Sequence, residues 1–160
     1  MANLIIYRGL PGCGKTASAL EEIRCHPRGT MCKISRDDHR RHVFATHYRP
    51  ESDDFEDLVT VLQFAAIRAA LNQGVDVLCD DTNLYPEHTA RLMHLALDCG
   101  AKWYIRDLTH VPLEVCTERD ALRPLEYRVG AKTIRAMYDR HCVDGWAPMP
   151  IPALDTEEAV

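Results

Sequence analysis

Residues 9–16 read GLPGCGKT, and Gly9, Gly14, Lys15 and Thr16 satisfy the pattern G-x-x-x-x-G-K-[ST]. A turn of this composition aims backbone N–H groups at a phosphate, and a helix starting at its end adds the positive end of a dipole. Lys15 would neutralise charge on the β- and γ-phosphate oxygens, the Thr16 hydroxyl would ligate Mg2+, and Gly12 and Cys13 would line the same turn. Such a cradle serves the donor half of a phosphoryl transfer and leaves the destination of the phosphate open.

An acceptor half needs a group that takes a proton from an incoming hydroxyl and a cation that balances charge on the moving phosphoryl group. Asp37 stands just after a short apolar run, and Arg40, three residues on, shares its helix side. Aspartates at a helix start are also ordinary capping residues, so Asp37 and Asp38 alone fit both uses. The DDTN segment, Asp80 to Asn83, follows another apolar run, where one carboxylate, Asp80 or Asp81, would hold the water shell of a metal. Both also suit capping of the next helix. Arg119 and Arg123 lie four apart, which fits a lid over ATP phosphates and equally a solvated helix face.

Positioning these groups requires alternating strands and helices. NLIIYR (3–8), MCKIS (31–35), VDVLC (75–79) and AKWYIRDL (101–108) read as four strands. Helices are predicted after the phosphate turn, over DDHRRHVF, from Ser52 to Asn72, from Pro86 to Leu97, from Pro112 to about Arg123, and over residues 131–141. Gly74 and Gly100 supply two of the stops, and Pro124 a third. Each crossover is long enough for a helix, so the fold class expected is α/β, a mainly parallel four-stranded sheet with helices on both faces and ligands at the carboxyl ends of the strands. The domain is expected to span 1–143, followed by a Pro-containing acidic tail at 144–160.

At 160 residues and 46% hydrophobic the chain suits one globular domain with its own core. Its apolar runs are far below the roughly 20 residues needed to cross a bilayer, and MANLIIYRG lacks the basic flank of a signal peptide, so a soluble, cytoplasmic protein without a membrane partner is expected. Seven scattered cysteines suggest no disulfide framework, and neither CxxC nor HExxH occurs. A net charge of −5 argues against coating nucleic acid through a global positive field, although arginines gather in SRDDHRRH and ERDALRPLEYR. The guanine-recognition pattern NKxD is absent, which weighs against a GTP switch.

Taken together, GLPGCGKT, ISRDDHR, DDTNLYPE, TERDALR and IRAMYDRH resemble, in order and spacing, the kinase domain of phage 5′-hydroxyl polynucleotide kinases, from Leu4 to about His141. The resemblance implies the P-loop kinase fold with a helical, arginine-bearing lid. It also implies ATP or another NTP as donor, Mg2+ as cofactor, and the 5′-OH ends of DNA or RNA as partners. Asp37 would be the general base, and Arg40 would engage phosphate near the acceptor. Arg119 and Arg123 would grip the donor, and Asp81, Thr82 and Asn83 would lie beside the acceptor, with Asp81 also a candidate to reach the metal through water. Lys15 and Arg123 join Asp37 and Arg40 in the catalytic set. The DxDxT or DxDxV motif of the bifunctional relatives' 3′-phosphatase is absent, so kinase activity alone is expected. Cys13 replaces a familiar serine, and His39, His42 and His47 give the acceptor side its own character. The alternatives are a P-loop kinase of a small polar metabolite or antibiotic and a non-catalytic nucleotide-binding module.

Overall fold

A central strand must be apolar on both sides if helices cover both faces, and the first strand, between two others in the sheet, shows how the chain meets this. In β1 (Asn3–Arg8), Leu4 and Ile6 enter one core while Ile5 and Tyr7 enter another. This is the two-residue alternation of a pleated strand. The computed structural model describes residues 1–45 and 53–142. The tail at 144–160, His47 and Ser52 lie outside the described residues.

The elements follow in the order β1, α1 (Lys15–Cys25), β2 (Met31–Ile34), α2 (Arg36–Phe44), α3 (Asp53–Asn72), β3 (Asp76–Asp80), α4 (Pro86–Asp98), β4 (Lys102–Asp107), α5 (Leu113–Ala121), a 3-10 turn (Leu125–Tyr127) and α6 (Ala131–His141). The strands form one parallel sheet in the order β2-β3-β1-β4. Helix α1 covers one face through Ala19, packed with Ile5, Tyr7, Met31 and Leu78. Helices α3 and α4 cover the other through Ile67, Leu71, Leu92, Met93 and Ala96, packed on Leu4, Ile6, Val77 and Cys79. A third cluster joins Leu10 and Cys13 of the glycine-rich turn to Leu113 and Cys116 of α5, Ile134 of α6 and Leu84. Two helices thus roof the turn from above the strand ends. Among the described residues no helix is long and apolar enough to cross a membrane.

The α/β class, four parallel strands and helices on both faces agree with the sequence reading, and the boundaries differ where capping decides them. Ser35 is not a strand residue: its hydroxyl accepts the Asp38 N–H at 3.1 Å and caps α2. Strand β3 begins one residue late because Val75 N–H turns back to the Ala70 carbonyl, and it runs on through Asp80. Helix α5 stops at Ala121 rather than near Arg123, since the residue before a proline is pushed out of helical geometry and Pro124 follows Arg123.

Candidate active site

All the strands run the same way, so the turn after β1, the start of α2 after β2 and the segment after β3 meet at one sheet edge. The glycine-rich turn is held there by backbone bonds, Gly9 N–H to the Thr82 carbonyl at 3.0 Å and Leu108 N–H to the Arg8 carbonyl at 2.7 Å. Gly12 has φ +84°, and a Cβ on it would lie 2.2 Å from the Cys116 carbonyl oxygen, so α5 packs directly onto the turn. Lys15 is buried, and its ammonium donates to the Gly9 and Leu10 carbonyls at 2.8 Å each. Thr16 is exposed at the first turn of α1.

The two aspartates at the end of β3, Asp80 its last residue and Asp81 the next, point to opposite faces. Asp80 shares the α1 side with Leu78, while Asp81 shares the α3 side with Cys79. Asp81 accepts the Arg36 N–H at 3.0 Å and a bond from the Gln63 amide, and burial pushes its pKa up against the pull of Arg36. Asp81 therefore ties α2 and α3 to the sheet, and Asp80 is the carboxylate on the side of Thr16. Thr82 is partly buried. Asn83, at φ +43°, donates to the Tyr7 carbonyl at 2.7 Å, which fastens the DDTN segment to β1 beneath the turn.

Asp37 opens α2 with its side chain 72% exposed, and Arg40 Nη1 donates to its carboxylate at 2.5 Å. The opposite edge of Arg40 makes two bonds of 2.7 Å to Glu56 of α3, and both of those side chains are 11% exposed. Burial alone would lower the Arg40 pKa; the Glu56 carboxylate more than offsets this and raises it. Such a two-pronged pair fixes the guanidinium plane. On the α1 side of the same helix start, Lys33 bonds Asp38 and lies 3.9 Å from Asp80. Burial would raise the Asp38 pKa, but the Lys33 contact holds it below the ordinary value.

Arg119 and Arg123 are not on one helical face, since Arg123 lies beyond the end of α5. Arg119 reaches the turn, donating to the Cys13 carbonyl at 3.4 Å. Arg123 lies 3.5 Å from Asp120, whose buried carboxylate also accepts from the Val129 and Gly130 N–H groups. The structure therefore gathers Gly9, Gly12, Cys13, Gly14, Lys15, Thr16 and Arg119 around the turn, and Asp37 and Arg40 after β2, two strands away on the same sheet edge. It holds Arg123 just past the end of α5, against Asp120. Glu56, Gln63 and Lys33 escaped the sequence reading; Glu56 sits in the acidic run ESDDFED, and no local spacing links it to Arg40.

A model of the AAA domain family matches residues 4–142. No curated protein matches the chain. Among solved structures, a chain of the Pnkp1/Rnl/Hen1 RNA repair complex is 21% identical with a TM-score of 0.74, covering 96% of this chain and 50% of that one. Kti12 of Chaetomium thermophilum in complex with ADP-AlF3 is 21% identical with a TM-score of 0.65, covering 98% and 92%. The Mycobacterium tuberculosis APS kinase CysC in complex with AMPPNP and APS is 18% identical with a TM-score of 0.63, covering 96% and 84%. The chain spans about half the length of the RNA repair chains it resembles. At these identities the likeness establishes a shared fold.

Proposed function

The chain belongs to the AAA domain family, and from that premise we propose that it is an ATP-dependent phosphotransferase, a 5′-hydroxyl polynucleotide kinase acting on DNA or RNA ends. The observation that carries this reading is the exposed Asp37 carboxylate after β2, on the same sheet edge as the glycine-rich turn, aligned by an arginine that Glu56 holds in place. A protein that only bound nucleotide would have no use for an accessible proton acceptor there. The RNA repair complex among the structural neighbours supports the choice of a nucleic-acid acceptor.

In this reading the turn's backbone N–H groups and Lys15 take the donor phosphates, Lys15 exchanging the Gly9 and Leu10 carbonyls for phosphate oxygens. Asp37 accepts the proton of the 5′-hydroxyl as its oxygen attacks the γ-phosphorus in line, while the bond from that phosphorus to the β–γ bridging oxygen breaks and ADP leaves. Arg40 lies beside that hydroxyl, and Arg119 already reaches the turn from the roof. Arg123 would have to leave Asp120 to join the donor. The hydroxyl of Thr16 and the carboxylate of Asp80 are hard oxygen donors that fit Mg2+, and Asp80 fits better than Asp81, whose oxygens are spent on Arg36 and Gln63. Mg2+ bound there would balance charge on the β- and γ-oxygens.

The test is label transfer from γ-labelled ATP to oligonucleotides bearing either a 5′-OH or a 5′-phosphate. Transfer to the 5′-OH strands alone is expected. Absence of transfer to any 5′-OH strand, DNA or RNA, would sink the reading. The APS kinase neighbour, matched over 84% of its length, favours a small hydroxylated acceptor as the second reading. A panel of such acceptors in the same assay separates the two.

A further inference from the structure

Lys33 lies on the α1 side of β2, and its side chain is 16% exposed. Its ammonium sits between carboxylates from two other elements, Asp38 at the start of α2, which it contacts directly, and Asp80 at the end of β3, 3.9 Å away. The Asp80 side chain is 4% exposed, so its charge is taken from water and requires a cation nearby. Lys33 pairs in register with Leu78, two residues before Asp80, and Asp80 pairs with Tyr7, two residues before the glycine-rich turn begins at Gly9. The lysine therefore balances a carboxylate on the strand next to β1, level with the residue two before the glycine-rich turn. A short hydrogen-bonded arginine fork would be locked in one geometry, whereas an ammonium on a four-carbon stem is a point charge that can withdraw.

We propose that Lys33 is a positioning residue for the donor's metal: its ammonium stands in for a divalent cation at Asp80, and gives way when nucleotide phosphates bring one. Arg41 lies 3.6 Å from Asp38 on its other side, so two carboxylates and two cations balance at this corner, which leaves no net charge to hold a divalent ion until phosphate adds its own. The device makes metal entry conditional on nucleotide. It rests on the reading of the glycine-rich turn, Thr16 and Asp80 as the donor site, and is independent of which hydroxyl accepts the phosphoryl group.

The test is Mn2+ binding to the nucleotide-free protein, followed by the electron paramagnetic resonance signal of free Mn2+. Lys33→Met should bind Mn2+ at least about tenfold more tightly than the unsubstituted protein, as the buried Asp80 then has lost its ammonium while Asp38 keeps Arg41. Lys33→Arg should keep the weak binding, and Asp80→Asn placed in the Lys33→Met background should remove the gain. Unchanged affinity in Lys33→Met, or a gain that survives Asp80→Asn, would show Lys33 to be a structural ion-pair partner only. Should Lys33→Met fail to fold by circular dichroism, Lys33→Gln takes its place. If both require metal to fold, recovery with Mn2+ supports the proposal and failure to recover overturns it. Binding of a fluorescent ATP analogue to the unsubstituted protein and to Lys15→Met reports on the donor site separately: no loss in Lys15→Met would reject the donor-site reading whatever Lys33 does.

Discussion

Arg40 donates two parallel bonds to Glu56 and one to Asp37, so a single guanidinium couples a buried carboxylate to an exposed one. Removing Glu56 leaves Arg40 free to turn and a largely buried cation without its main partner. Glu56→Ala should therefore lose about 3 kcal/mol of stability in chemical denaturation. In the proposed reaction it should also reduce kcat by roughly 10- to 100-fold while leaving the KM for ATP near its original value, because the donor turn is on another element. A parallel rise in KM for ATP would place Glu56 with the donor. Asp37→Asn keeps size and exposure and removes only the basic oxygen, so a loss of about 10²- to 10⁴-fold in kcat with intact ATP binding is expected. Transfer at the full rate in Asp37→Asn would assign the proton to another group. Asp37 and Arg40 are legible in the sequence because three residues on a helix make neighbours; Glu56 is sixteen residues further on and becomes Arg40's partner only through the packing of α3 on α2.

At the level of elements, the tightest fit lies between α5 and the glycine-rich turn. Gly12 combines a left-handed φ with backbone of Cys116 where a side chain would be, so Gly12→Ala must strain the turn, lift α5, or both. A loss of at least about 2 kcal/mol is expected from denaturant melts, together with weakened binding of a fluorescent ATP analogue. A stability change within experimental error would mean that α5 rides loosely on the turn. The same roof shows where periodicity misleads: Arg119 and Arg123 have helical spacing, but Pro124 ends the helix before Arg123, and Asp120 gathers Arg123 and the Val129 and Gly130 N–H groups instead. A proline's effect on its neighbour is written locally, whereas the choice of Asp120 as anchor follows from the path of the chain back toward α6.

At the scale of the whole molecule, the charges buried between layers set a pH dependence. His88 lies at the start of α4 against Phe64, and burial first, then Arg36 and Arg91, lowers its pKa from 6.5 to about 4. The unfolded chain takes up that proton near pH 6.5 and the folded chain only near pH 4, so the stability from neutral His88 is complete above pH 6.5. It is lost as pH falls toward 4, by up to about 3 kcal/mol. Asp81, whose pKa is raised, acts in the opposite sense, its contribution present at low pH and lost as pH rises through its folded value. The clean measurement is therefore a comparison: the Tm of the unsubstituted protein should fall more steeply between pH 7 and pH 5 than that of His88→Leu. Equal slopes would remove His88 as the cause. The sequence by itself determined the phosphate turn, the four strands and the order of the helices, because glycine spacing, two-residue and 3.6-residue periodicity and proline stops act over a few residues. It left Asp80 and Asp81 equivalent. Only the pleat of β3 between its neighbours sent Asp80 toward α1 with Lys33 and Asp81 toward α3 with Gln63, since which face a strand residue meets depends on what the rest of the chain packs there.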